Sequence, residues 1–125
     1  MPACRDWQTL PELYLLPFEM TVKDGNARSV MCTYNYVNGV SSCENQELLT
    51  DVLRRDWGFT GYIQTDFFAQ KSSVPSMKAG MDHEMPLPQQ WAPAKLQAAL
   101  AAGPILGAFR AASQESDNDD PFANP

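Results

Sequence analysis

The sequence predicts an α/β fold with parallel strands, and three observations carry that prediction. Helical and β patterns alternate along the chain in the order helix, strand, loop, helix, strand. Strands joined by helices must run parallel, because each crossover returns the chain to the same end of the sheet. With 125 residues, 44% apolar and 19% charged, the chain can bury one modest core and no more. Ten prolines in that length keep the regular elements short.

The first element begins at Thr9, where Thr9-Leu10-Pro11-Glu12 has the form of a capping box with proline in the first turn. Leu13, Leu16 and Met20 form one apolar stripe at helical spacing, and Tyr14, Phe18 and Val22 the adjoining one, so a broad buried face is expected. Pro17 lies inside the pattern and predicts a kink or break near Leu16. Lys23-Asp24-Gly25-Asn26 then ends the helix. Residues Ser29 to Asn35 are rich in β-branched and aromatic side chains and read as a short buried strand with Tyr34 and Asn35 at its end. Tyr36 to Cys43 has the composition of an irregular loop.

Asn45 is placed to cap the next helix, in which Leu48, Leu49, Val52 and Leu53 oppose Glu47, Asp51, Arg54 and Arg55. Trp57-Gly58 stops it, with Trp57 and Phe59 expected to anchor helix to sheet. Gly61 turns into a second strand, Tyr62 to Asp66. A short helix through Val74 to Ala79, a possible strand Met81 to Pro86 and a last helix from Pro93 to Ala102 follow. From Ser113 onward the acidic run SQESDNDDPFANP has almost nothing to bury and reads as a disordered tail.

Composition also excludes. A net charge of -6, from 15 acidic against nine basic residues, disfavours nucleic acid and anionic lipid. No apolar run approaches the roughly 18 residues a membrane helix needs, and the N-terminus has no apolar export segment. Three cysteines, Cys4, Cys32 and Cys43, make neither a disulfide scaffold nor a zinc pattern, so no metal or cofactor is expected. Cys32 and Cys43 could pair if the fold brings them together, but buried free cysteine is the commoner state and the favoured reading.

In parallel α/β folds the reactive groups project from the C-terminal ends of strands. The two strand ends here present Tyr34-Asn35 and Asp66-Phe67-Phe68. A carboxylate flanked by aromatic rings suits carbohydrate, whose apolar faces stack on rings while its hydroxyls bond polar neighbours. The segments SVMCTYNYVNG, CENQELLTDVLRRDWGFTGYIQTDF and AGMDHEMP, preceded by LPELYLLPFE, resemble in order the later part of the barrel domain of glycoside hydrolase family 3, over roughly positions 8 to 103.

The resemblance implies about the later half of a (β/α)8 barrel, with a barrel domain over residues 1–112 and the tail over 113–125. It implies a retaining β-glucosidase chemistry with Asp66 as nucleophile, from its match to the family's serine-aspartate-tryptophan segment. It places Tyr34, Met31 and Phe67 in the sugar pocket and gives Asp82 and His83 a structural role. A β-glucoside or oligosaccharide is the implied substrate, and family members are often secreted or periplasmic.

Two departures stand out. Phe67 replaces the family's usual tryptophan, which keeps a ring but loses the indole donor. Nothing in the chain matches the family's sugar-binding arginine and lysine-histidine pair or its general acid/base. A full barrel takes about 250 residues, so the chain is expected to be an incomplete fragment with exposed sheet edges that favour self-association. The competing expectation is a non-catalytic module, derived from the hydrolase barrel, that binds sugar or protein.

Overall fold

The computed structural model describes residues 8–103; the tail expected over 113–125, and Cys4, lie outside them. The first element among the described residues is a π-helical segment, Leu10–Leu15, that passes directly into helix α1, Leu16–Lys23. Strand β1 is Ser29–Cys32, followed by a small hairpin of β2, Tyr36–Val37, and β3, Val40–Ser41. A 3-10 turn, Ser42–Glu44, leads to the Glu47–Asp56 helix, which is wound with π-type hydrogen bonds. Strand β4 is Tyr62–Thr65, and α2, Val74–Lys78, and α3, Pro93–Ala101, complete the order.

Strands β1 and β4 pair in parallel, with Ser29 beside Tyr62 and Cys32 beside Thr65. A further parallel bridge joins Gln64 to His83, so the expected third strand is reduced to a single pairing point. One face of the pair is covered. Cys32 and Ile63 are buried there with Cys43, Leu49, Leu53, Phe59, Ala69, Ala79 and Met81. Residues of the opposite parity, Ser29, Met31, Tyr62 and Gln64, lie on the other face, where Met31 and Tyr62 are exposed.

The Glu47–Asp56 helix forms as its pattern predicts. Asn45 Oδ1 accepts the Leu48 N–H at 3.1 Å, satisfying one of the orphan donors of the first turn. Leu49 and Leu53 are the buried pair, each stabilising the fold by about 1.5–3 kcal/mol through area removed from water. The last turn closes with the Trp57 N–H on the Val52 carbonyl, and Phe59 is buried while Trp57 packs at the core edge. Gly61 is required by close approach, since a Cβ there would lie 2.2 Å from the Arg28 carbonyl oxygen.

Five expectations change. Thr9 has helical dihedrals (φ −65°, ψ −35°) and makes no side-chain cap bond, whereas a cap needs an extended backbone; Gln8 Nε2 reaches Glu12 Oε1 instead, at 3.4 Å. Pro17 is the second residue of α1, just past the point where the winding changes from π to α, and the helix continues through it without the expected break. The broad apolar face of this helix is exposed, Leu13 at 62% and Phe18 at 59%, since no second layer among the described residues covers it. Tyr36 to Cys43 is ordered as the β2–β3 hairpin, with Asn38 and Gly39 both at positive φ (50° and 85°), as a two-residue primed turn demands. Cys32 and Cys43 are joined as a disulfide with Cα atoms 5.2 Å apart, the hairpin having folded the chain back between them.

Candidate active site

Asp66 follows β4 directly, and its N–H still donates to the Cys32 carbonyl at 2.9 Å. The pairing therefore continues one residue past the strand, and Asp66 keeps the parity of Tyr62 and Gln64 on the open face of the sheet. Its side chain is half-buried, and Oδ1 accepts the Phe67 N–H at 2.7 Å. That local bond fixes one carboxylate oxygen against the backbone.

Tyr34 stands beyond the matching end of β1. Its hydroxyl donates to the Phe67 carbonyl at 2.5 Å, so the phenol and the carboxylate belong to the same rim of the sheet. The preceding residue, Thr33, is fixed by Ser42, whose Oγ accepts the Thr33 N–H at 2.9 Å and donates to the Thr33 carbonyl at 2.5 Å. Lys71 Nζ lies 5.8 Å from the centre of the Tyr34 ring, close enough for a cation–π contact. The disulfide closes the same loop at its base.

Phe67 and Phe68 are exposed beside Asp66, and Phe68 sits at φ 60°, a left-handed conformation uncommon outside glycine and asparagine. Met31 is exposed and pairs with Gln64 in register, but it also lines a cavity of about 180 Å³ between α1 and the Glu47–Asp56 helix. Leu15, Phe18, Val30, Leu53 and Trp57 line that cavity too, whereas Asp66, Tyr34 and Phe67 do not. Asp66, Tyr34 and Phe67 thus come together on one rim, and Met31 sits lower on the strand.

Asp82 works away from this rim. Its Oδ2 accepts the Ile63 N–H at 2.7 Å and pairs with Arg54 Nη2 at 2.5 Å. Arg54 also donates to the Gly61 and Gly80 carbonyls, each at 3.1 Å, which pins the helix to the base of β4. Arg54, placed on the solvent side by its helical position, is in fact a tie to the sheet. His83 contributes through its backbone, accepting from Thr65 and donating to Ile63, and its side chain is exposed.

The glycosyl hydrolase family 3 N-terminal domain model matches residues 2–109. The chain belongs to glycosyl hydrolase family 3. A β-glucosidase of Rhizobium radiobacter is 44% identical over 100 residues, which are 80% of this chain and 12% of that protein. The solved family 3 β-glucosidase of Bifidobacterium adolescentis superposes with a TM-score of 0.73 at 39% identity, covering 82% of this chain and 15% of that one. The β-glucosidase of Kluyveromyces marxianus, solved in complex with glucose, gives a TM-score of 0.74 at 32% identity over 78% of this chain and 12% of its own. The chain thus spans 10–15% of the length of such relatives.

Within this family 3 segment, two features lie outside the sequence expectations. Asn38-Gly39 between Tyr36-Val37 and Val40 was a hairpin signal, and the hairpin is what brings Cys43 back to Cys32. Glu84 is buried with three backbone partners, and no local pattern marked it, because its donors come from five to seven residues further on.

Proposed function

We propose that this chain is the nucleophile-bearing part of a retaining β-glucosidase, folded as about half of a (β/α)8 barrel whose open sheet face is the barrel interior. The single observation that carries the reading is Asp66 at the C-terminal end of a parallel strand, on the open face, with the Tyr34 phenol on the same rim. An ionised carboxylate in that place can attack an anomeric carbon and form a glycosyl ester, while a second carboxyl about 5 Å away protonates the departing oxygen.

Asp66 is the nucleophile in this reading, Tyr34 orients the reacting sugar, and the exposed Phe67 ring stacks on a pyranose face. Met31 closes the floor. The acid/base and the groups that bind the sugar hydroxyls come from other parts of the polypeptide or assembly, since this chain matches only 10–15% of its relatives' length. The substrate is a β-glucoside, in keeping with the relatives' names and with the glucose bound by the Kluyveromyces marxianus enzyme.

A second reading is supported by the uncovered apolar stripe of the helix running from Leu10 to Lys23, with Leu13, Leu16, Phe18 and Met20 all exposed. An apolar surface of this kind favours association with a further chain or a second copy.

The catalytic reading is tested by placing residues 8–103 in the matching segment of the Rhizobium radiobacter β-glucosidase and assaying a chromogenic aryl β-glucoside. Asp66→Asn in that graft should lower kcat by about a thousandfold or more, the scale on which a lost nucleophile acts. Equal turnover with and without the substitution would remove Asp66 from the mechanism.

A further inference from the structure

Glu84 is a buried carboxylate, 6% exposed, that the proposed chemistry does not use. Its Oε1 accepts the N–H groups of Gln89 and Gln90 at 3.0 and 2.8 Å, and its Oε2 accepts that of Trp91 at 2.8 Å. Three consecutive amides replace the water that burial removed, so the loop is wrapped around the charge. The loop is tied onward to the start of α2: the Trp91 indole donates to the Ser73 carbonyl at 3.0 Å, and the Ser73 hydroxyl donates to the Gln90 carbonyl.

The residue after Glu84 brackets Asp66. The Met85 N–H donates to Thr65 Oγ1 at 2.9 Å, and the Met85 carbonyl accepts the Phe68 N–H at 3.0 Å. Thr65 and Phe68 are the flanks of the Asp66-Phe67 pair, and the Ala69 N–H donates back to the Asp66 carbonyl at 3.0 Å. Phe68 needs such restraint, because its φ of 60° is a conformation a phenylalanine leaves readily.

We propose that Glu84 is a positioning residue: by gathering the Gln89–Trp91 amides it immobilises Met85, and Met85 holds both flanks of Asp66 in place. Glu84 touches neither substrate nor reacting atom. Its catalytic consequence rests on the assignment of Asp66 above, but the coupling between the two segments does not.

Amide hydrogen exchange on the full chain reads that coupling without any turnover. In the unaltered protein the Phe68 and Met85 amides should open together with those of Gln89, Gln90 and Trp91, at rates within about threefold after correction for sequence. In Glu84→Gln, which keeps the shape but turns an amide donor toward the loop, all five should exchange about tenfold faster or more, while Leu53 and Ile63 keep their rates. A loosened loop with an unchanged Phe68 would overturn the proposal. If the variant does not fold, the unaltered protein decides: Phe68 opening more than about tenfold faster than Trp91 is equally fatal. In the family 3 graft the same variant should lower kcat about tenfold with KM within about twofold, and a change confined to KM would contradict a positioning role.

Discussion

Two helices of this chain carry apolar stripes, and only one hides its stripe. The Glu47–Asp56 helix puts Leu49 and Leu53 into a core shared with Cys32, Ile63 and Phe59, and Arg54 ties it to β4. The helix running from Leu10 to Lys23 buries Leu10 and half-buries Val22, but leaves Leu13, Leu16, Phe18 and Met20 exposed. Periodicity says which face of a helix wants cover; it does not say that this stretch of chain supplies the cover.

Substitution should act most strongly on the buried helix face. Leu53→Ala should cost about 2–5 kcal/mol of unfolding free energy in urea, because the atoms removed leave a hole in the shared core. A loss under about 1 kcal/mol would mean that this core is not packed as described.

Reducing the Cys32–Cys43 bond, or replacing Cys43 with serine, should cost about 2–3 kcal/mol for a closed loop with a separation of 11 residues. Unfolding midpoints with and without reductant check this, and identical midpoints in a mass-verified oxidised sample would contradict it.

At the exposed end the expected effect on stability is smallest. Phe18→Ser should shift the unfolding free energy by no more than about 0.5 kcal/mol, as urea titration would read it. Strong destabilisation instead would show that α1 is held by its own chain after all.

Much of the fold was legible because it depends on local chemistry. Asn45, Leu49, Leu53 and Gly61 each announce their role in the sequence, and the strand–helix–strand order fixes parallel pairing. The rim was legible for the same reason: Tyr34 and Asp66 lie just past strand ends, and parallel strands put such residues on one side. What could not be read depends on partners distant in sequence. The Arg54 tie spans 28 residues to Asp82, and the disulfide depends on a hairpin within Tyr36 to Cys43, a stretch whose composition reads as loop. The exposure of α1 depends on what lies beside it, which no helical period encodes.

If the Asp66 carboxylate makes the bond to sugar, as proposed, trapping the intermediate will show it directly. A 2-fluoro-substituted activated β-glucoside slows release of the glycosyl ester, so the family 3 graft carrying residues 8–103 should accumulate an adduct that peptide mapping assigns to Asp66. An adduct on any other carboxylate, with Asp66 unmodified, would contradict the account.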